Sequence, residues 1–148
     1  MDQLIAAHNS KKLHHANLIY GGAGEDPLPV ALSLAAMLLC ETETACGTCR
    51  NCKRVEKLEH PDLNFTFPFV SGGNSGTSDD FLQDFRRAVL KNPFLDPDSW
   101  QRQITSKNQQ LQIPVKEIQN LQQKLSLTAA EGGNRVLIIW MPEQIKTT

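Results

Sequence analysis

The sequence has almost no excess of charge of either sign. Fifteen basic residues stand against sixteen acidic ones, which gives a formal net charge of −1. Because domains that bind nucleic acids commonly carry a strong basic field, this balance disfavours DNA or RNA binding through charge alone. Aromatic residues are also few, with six Phe, two Trp and one Tyr, so platforms for stacking bases are scarce.

The sequence also lacks a long hydrophobic run and the pattern of a secretory signal. The longest uncharged apolar stretch, Pro27 to Cys40, has 14 residues, and a membrane helix needs about 20. The opening residues provide no basic start for a signal peptide. All four cysteines lie between positions 40 and 52, whereas a disulfide framework would distribute them along the chain. We therefore expect a cytoplasmic protein with no membrane association.

The pattern of apolar residues predicts helices that alternate with strands along the 148 residues. The predicted strands are 17–20, 63–67 and 136–140, and the predicted helices are 1–9, 27–38, 50–58, 79–90 and one that Pro114 opens. The helix at 27–38 is apolar on nearly every face, and the last helix carries one stripe of Val115, Ile118, Leu121 and Leu125. Continuous apolar strands between helices predict an α/β fold with a parallel sheet that helices cover on both faces.

Four cysteines form a compact motif directly after the helix at 27–38. Cys40, Cys46, Cys49 and Cys52 have the spacing C-x5-C-x2-C-x2-C. Gaps of two residues let thiolates converge on one ion, and four thiolates make a closed structural zinc site. Half of a ferredoxin motif also contains C-x2-C-x2-C, but its C-x3-C-P is absent, and four cysteines without metal are the other alternative. We predict structural zinc, with Arg50, Lys53 and Arg54 offsetting its negative charge.

A glycine-rich segment before the second helix has the position of a phosphate-binding loop but not its functional residues. Such a loop has the pattern G-x-x-x-x-G-K-[ST], because backbone N–H groups surround the phosphates while Lys and Ser/Thr hold phosphate and magnesium. Gly21 opens the segment and Gly24 lies inside it, whereas Asp26, Pro27 and Leu28 replace the second Gly, the Lys and the Ser/Thr. Acidic charge repels a triphosphate and proline lacks an N–H donor, so we expect no ATP binding.

The end of the last predicted strand lacks catalytic residues as well. In phosphate-loop ATPases this strand end carries acidic side chains that organise magnesium and water. Here Trp140 and Met141 occupy it, followed by Pro142. A chain that is organised like an ATPase but altered at the glycine-rich segment and at this strand end is predicted to be a relative of ATPases without catalytic activity.

These features together resemble a known family. The resemblance rests on residues 15–21, the four-cysteine insert, the His-Pro-Asp-Leu sequence at 60–63, residues 113–127 and residues 135–139. The chain resembles the first AAA+ domain, a P-loop NTPase-like fold, of the bacterial DNA polymerase III clamp-loader subunits, delta-prime and gamma/tau. Residues 1–67 and 107–148 carry the resemblance, whereas residues 68–106 have the character of an insertion. The whole chain 1–148 then corresponds to the N-terminal part of one AAA+ domain, with a zinc knot at 40–52.

The resemblance implies a role in DNA replication. Gamma/tau relatives keep G-K-[ST] and an acidic pair, so the changes at Asp26, Pro27, Leu28, Trp140 and Met141 indicate the delta-prime type. That type is a non-hydrolysing stator in the ring that opens a sliding clamp and loads it on primed DNA, within the DNA polymerase III holoenzyme. The implied partners are the gamma/tau and delta subunits, with the clamp and primer-template DNA contacted through the complex.

Two other functions remain open from the sequence. One is a gamma/tau-type ATPase subunit with an unusual loop. The other is a stand-alone zinc module that binds nucleic acid through basic residues near the cysteines, namely Arg50, Lys53, Arg54 and Lys57. The four histidines, His8, His14, His15 and His60, show no ligand spacing and are expected at the surface or in turns.

A final expectation concerns the sheet. In the AAA+ family the fourth strand lies between the first and third, which correspond here to residues 17–20 and 136–140. Residues that follow Thr148 would supply that strand, as they would supply the family's arginine finger, lid and collar. The chain by itself is then expected to leave an open slot with unpaired strand edges, which recruit other strands. The slot could close by direct pairing of its flanking strands, or be filled by a segment exchanged with a second copy or by residues around Phe81–Trp100, and we expect self-association.

Overall fold

The computed structural model describes residues 2–22, 25–70, 76–107, 109–131 and 133–146, and it shows a mixed arrangement of helices and strands. The helices are α1 (Asp2–Asn9), α2 (Pro27–Leu39), α3 (Arg50–Glu56), α4 (Leu82–Lys91), α5 (Pro97–Ile104) and α6 (Val115–Ser126). The strands are β1 (Leu63–Thr66) and β2 (Val136–Ile139), and 3-10 turns cover Ser78–Phe81 and Pro142–Gln144. Within the described ranges, no helix has the length and apolar character that crossing a membrane requires.

The two strands form a parallel pair, as the sequence predicts. Leu63 lies opposite Val136, and Thr66 lies opposite Ile139. The Trp140 N–H extends the ladder past β2 by donating to the Thr66 carbonyl at 2.8 Å. A parallel pair needs a long crossover connection, and the chain between β1 and β2 contains three helices. The structure thus confirms an α/β arrangement with a small parallel sheet.

The predicted strand at 17–20 is not a strand in the structure. Leu18 and Tyr20 have exposed fractions of 78% and 85%, and no ladder forms at these residues within the described ranges. An extended segment becomes a strand only when a neighbour satisfies its backbone groups, and among the described residues the sheet consists of β1 and β2. The strand prediction was therefore wrong here, and self-association through an open edge stays a prediction.

Helix α2 begins where the sequence predicts it. The Asp26 carboxylate accepts a hydrogen bond from the Leu28 N–H at 3.1 Å, and Pro27 lies in the first turn, where no N–H is needed. The expectation of burial on nearly every face is only partly met, because Ser33 is exposed. The buried residues of the helix are Leu28, Leu34, Ala35, Met37 and Leu39.

The part of 68–106 that the structure describes is folded into the core. Asp96 caps α5 by accepting a hydrogen bond from the Ser99 N–H at 2.8 Å, a helix that the sequence analysis missed. The Phe85 ring of α4 stacks on Phe67 with centroids 4.1 Å apart, and Trp100 meets Phe67 edge-on at 5.3 Å. These side chains pack at the ends of both strands, because Phe85 also lies 5.7 Å from the ring of Trp140. Among the described residues, this segment adds no strand beside β2. The glycine-rich loop predicted at 71–76 lies outside the described residues except for Gly76.

Helix α6 buries a face that is shifted from the predicted stripe. Val115 and Leu125 are 51% and 56% exposed, and Glu117 is fully buried. The Glu117 carboxylate accepts hydrogen bonds from the Thr66 hydroxyl at 3.1 Å and from the Ser78 backbone N–H at 3.0 Å. The Ser78 hydroxyl donates to it as well. Of the predicted stripe, Leu121 is buried and Ile118 is half-buried, so the prediction is confirmed at its centre. Its two ends are exposed because the buried face is shifted toward Glu117.

Candidate metal centre and glycine loop

The four cysteines are positioned by the facing ends of two helices and the turn between them. Cys40 ends α2, Cys49 caps the start of α3, and Cys52 lies in the first turn of α3. Cys46 lies in the exposed connection, where Gly47 adopts a positive φ of 72° that favours glycine. Cys40 and Cys52 are buried, whereas Cys46 is exposed. The short spacing thus folds into one cluster.

The distances between the sulfur atoms fit the tetrahedral coordination of one metal ion. All four Sγ atoms lie within 4.8 Å of one another, and Cys40 Sγ is 3.7 Å from Cys46 Sγ and 4.0 Å from Cys49 Sγ. Four thiolates about 2.3 Å from a zinc ion would be separated by about 3.8 Å, as the edges of a tetrahedron require. None of the four is in a disulfide. The cluster can therefore hold one metal ion with no open position for substrate.

Hydrogen bonds and burial give the thiols different acidities. Burial raises the pKa of Cys40, but hydrogen bonds from Thr42 and from the Cys46 N–H outweigh it and lower that pKa to about 5. A hydrogen bond from Thr48 lowers the pKa of Cys46 to about 7. Burial raises the pKa of Cys52 to about 12. Because metal binding requires thiolates, an ion would stabilise the deprotonated form of this buried sulfur most.

One basic residue of α3, Arg54, pairs with a carboxylate on the connection between α6 and β2. The Arg54 guanidinium donates to the Glu131 carboxylate at 2.7 Å. Hydrogen bonding from Arg54 and the nearby charge of Arg50 both lower the pKa of Glu131. Arg54 was expected to offset the thiolate charge, and in the structure it pairs with this carboxylate. The pair docks the cysteine module onto the connection between α6 and β2.

Asp62 also holds the connection between α6 and β2, a role that the sequence analysis missed. Its carboxylate is 1% exposed and accepts hydrogen bonds from the backbone N–H groups of Ala130 at 2.7 Å and Glu131 at 2.9 Å. Arg135 lies 3.6 Å from it. Burial raises the pKa of Asp62, but these donors outweigh burial and lower it. The sequence signals were a charged residue directly before an apolar strand and its place in the His-Pro-Asp-Leu sequence at 60–63.

His60 is buried rather than at the surface. It is 2% exposed, its Nδ1 accepts a hydrogen bond from the Asp62 N–H at 3.1 Å, and its Nε2 has no hydrogen-bond partner in the described part of the chain. Burial lowers the pKa of His60. The histidines were predicted at the surface or in turns, and His60 lies in a turn whose Leu63 N–H donates to the His60 carbonyl at 3.0 Å. The sequence did not indicate that this turn is buried.

In the described part of the glycine loop and at the start of α2, two of the chain's own carboxylates accept hydrogen bonds from backbone N–H groups. The Glu25 carboxylate accepts a hydrogen bond from the Gly22 N–H at 3.0 Å, while Asp26 caps α2. A Cβ atom on Gly21 would lie 2.7 Å from the Glu25 Cβ, so this glycine is needed for close approach. Gly24 lies outside the described residues. In a phosphate-binding loop these N–H groups face phosphate oxygens, so two side chains take up donors that a nucleotide would use.

The end of β2 is covered by aromatic packing. Trp140 is 7% exposed, and its ring centroid lies 5.7 Å from that of Phe85 on α4. Met141 adopts a left-handed φ of 58° and precedes the 3-10 turn that starts at Pro142. The structure therefore places both predicted residues at the strand end, where they offer no carboxylate for a metal ion.

The chain belongs to the protein family described as "DNA polymerase III, delta subunit", whose model matches residues 1–148. It is 44% identical over 70 residues to DNA polymerase III subunit delta' of Bacillus subtilis (strain 168), covering 46% of this chain and 21% of that protein. The Escherichia coli (strain K12) subunit delta' is 38% identical over 79 residues, covering 50% and 23%. The Yersinia pestis subunit delta' is 38% identical over 65 residues, covering 40% and 18%. Each match thus spans about a fifth of the relative.

Proposed function

We propose that this chain is part of a delta-prime-type subunit of a bacterial DNA polymerase III clamp loader. The subunit would act in the cytoplasm as a stator and help place the sliding clamp on primed DNA. Its partners would be the gamma/tau and delta subunits, with the clamp and primer-template DNA engaged through the complex. The family match over the whole chain and the three delta' relatives support this proposal.

The proposed architecture is the N-terminal part of one AAA+ domain, which is a P-loop NTPase-like fold. The parallel register of β1 and β2 supports it, as does the position of α2 after a glycine loop. In this proposal, residues 68–106 are an insertion that has become part of the core. The stacked rings of Phe67 and Phe85 support that view.

The proposed subunit neither binds nor hydrolyses ATP at this loop. The observation that carries this part is the use of loop and helix N–H donors by Glu25 and Asp26. A triphosphate would have to displace both carboxylates against their charge, which costs on the order of 1–4 kcal/mol for each close contact. Trp140 at the end of β2 offers no ligand for magnesium. This combination favours a stator over a gamma/tau-type ATPase.

The proposed role of the four cysteines is to bind one structural zinc ion. The tetrahedral sulfur spacing and the all-thiolate donor set support zinc over metals that prefer oxygen ligands. The ion would fix the end of α2 against the start of α3. A nucleic-acid-binding role for the module is disfavoured by the pairing of Arg54 with Glu131.

Reconstitution of the loader tests the proposed function. The protein expressed from its native gene is mixed with gamma/tau and delta from the same organism, and assembly is followed by gel filtration. We expect co-elution, and ATP hydrolysis by the complex should disappear when the gamma/tau loop lysine is substituted. The matched variant Asp26→Ala in this chain should leave hydrolysis unchanged. Failure to co-elute, or hydrolysis by this protein alone, would contradict the proposal.

A further inference from the structure

The sulfur atoms of the cysteine cluster receive unequal support from side chains. The Thr42 hydroxyl lies 3.3 Å from Cys40 Sγ, and the Thr44 hydroxyl lies 2.8 Å from that of Thr42. On the other side, the Thr48 hydroxyl donates to Cys46 Sγ at 3.5 Å. Three threonines of the short connection between α2 and α3 thus group around two of the four sulfurs.

The remaining two sulfurs depend on the backbone. Cys49 Sγ accepts a hydrogen bond from the Cys52 N–H at 3.3 Å, as the cap of α3. Burial of Cys52 comes from packing of α3 on α2. Within the described ranges, no hydroxyl group bonds to either sulfur. Cys49 and Cys52 are therefore held by backbone and packing alone. Cys40, which also accepts the Cys46 N–H at 3.4 Å, and Cys46 have hydroxyl partners in addition.

In a metal-bound site, the number of protons available fixes the direction of these hydrogen bonds. A thiolate bound to a metal has no proton, so the Thr42 hydroxyl must donate to Cys40. Thr42 then has only acceptor capacity left, and Thr44 must donate to it. The result is a chain of two hydroxyl groups that ends on the sulfur. Hydrogen bonds to ionised acceptors are about twice as strong as neutral ones, so this chain favours the ligand state of Cys40.

We propose that Thr42 and Thr48 are positioning residues of the metal centre, with Thr44 orienting Thr42. Their hydroxyls help to hold the sulfurs of Cys40 and Cys46 at ligand distance and stabilise the charge of the bound thiolates. The inference rests on the proposed zinc site. Loss of a group that supports a metal ligand lowers metal affinity about 10- to 100-fold. Thr42→Val should lower the zinc affinity about tenfold, because the hydrogen bond of Thr42 is shorter than that of Thr48 and lies at a buried sulfur.

Competition with a chromophoric chelator tests the inference on the protein expressed from its native gene. The variants Thr42→Val and Thr48→Val should bind zinc more weakly than the wild type, and Thr44→Val should show a smaller loss than Thr42→Val. Thr42→Ser keeps the hydroxyl and should restore affinity to within about twofold. Thr128→Val, an exposed threonine outside the module, is the matched control and should not change affinity.

Cobalt substitution supplies a readout that general destabilisation would not move. The thiolate-to-cobalt absorption bands should shift in Thr42→Val and return in Thr42→Ser. Wild-type affinity and spectrum in Thr42→Val would overturn the inference, as would equal losses in the Val and Ser variants. If the wild-type protein binds no zinc, the proposed metal centre fails as well, so the failures of the two proposals are distinguishable.

Discussion

The glycine loop and the cysteine cluster lie at opposite ends of the same helix, α2, and they differ in what completes them. At the N-terminal end, Asp26 caps the helix and Glu25 takes a loop N–H, so the chain satisfies its own donors. At the C-terminal end, Cys40 joins three other sulfurs that have no bond to one another and converge on one point. At one end the chain's own carboxylates accept the N–H groups, whereas at the other end the sulfur atoms lie close enough to hold an ion.

The two ends of one helix thus differ in the groups that lie free for a ligand. Anion binding at a helix N-terminus depends on free N–H groups, so the carboxylates of Glu25 and Asp26 disfavour it. A thiolate cluster depends on sulfur positions, which α2 and α3 fix through their packing. A glycine loop whose donors are taken by carboxylates is therefore compatible with a cysteine cluster that could hold a metal ion on the same helix.

The largest expected effect comes from removal of the metal or one of its ligands. Cys52→Ser, or dialysis of the wild type against a strong chelator, should lower the free energy of unfolding by on the order of 5 kcal/mol or more, since structural zinc contributes about 10 kcal/mol in small modules. Denaturant unfolding with elemental analysis measures both quantities. Ser33→Ala, at an exposed site on α2, is the control. An unchanged free energy of unfolding after complete removal of metal would contradict the claim that the cysteine end of α2 depends on an ion.

Asp62→Ala tests how the cysteine module is docked from outside. It leaves two backbone N–H groups and Arg135 without their buried carboxylate, and we expect a loss of about 3 kcal/mol in unfolding free energy. Asp62→Asn keeps one acceptor and should lose less. Zinc content should stay at the wild-type level in both, because the cysteines do not contact Asp62. A loss under about 1 kcal/mol for Asp62→Ala would contradict this role.

His60→Asn isolates the pH dependence of the same region. Burial lowers the pKa of His60 below its ordinary value of 6.5, so the unfolded chain takes up the proton first. The wild type should therefore lose stability as pH falls below 6.5, by at most about 1.4 kcal/mol per pH unit. Asn keeps an acceptor for the Asp62 N–H but does not titrate, so its curve should be flatter between pH 7 and about 5.5. Parallel curves would exclude His60 as the cause.

Asp26→Ala tests the N-terminal end of α2 and should have the smallest effect. Loss of the cap should lower the free energy of unfolding by about 1 kcal/mol. Asp26→Ser retains a capping oxygen without the charge and should recover most of it. Neither variant should bind Mg-ATP in calorimetry, because Lys and Ser/Thr ligands remain absent. A cap loss near zero would show that the Leu28 N–H finds another acceptor.

The sequence predicted the features that depend on residues close together in the chain. The start of α2 follows from the Asp-Pro pair at 26–27, and the cysteine cluster follows from its two-residue gaps. The parallel pairing of β1 and β2 was also predicted, because apolar strands separated by helices permit few other arrangements.

The features that the sequence did not reveal depend on distant partners. Burial of Glu117 requires donors from Thr66 and Ser78, and the buried carboxylate of Asp62 requires the backbone N–H groups of Ala130 and Glu131. The segment at 17–20 has strand-like residues but no neighbour to pair with among the described residues. No local pattern carries this information, because the partners are brought together only by the whole fold.

Native mass spectrometry in the presence of Mg-ATP tests both ends of α2 in one measurement. The protein expressed from its native gene is sprayed from a volatile buffer with nucleotide at millimolar concentration, and its intact mass is recorded. We predict the mass of the chain with one zinc ion and no adenine nucleotide, and the zinc should disappear in Cys52→Ser. A nucleotide-bound species that Asp26→Ala or Glu25→Gln alters, or a wild-type protein without metal, would contradict the account.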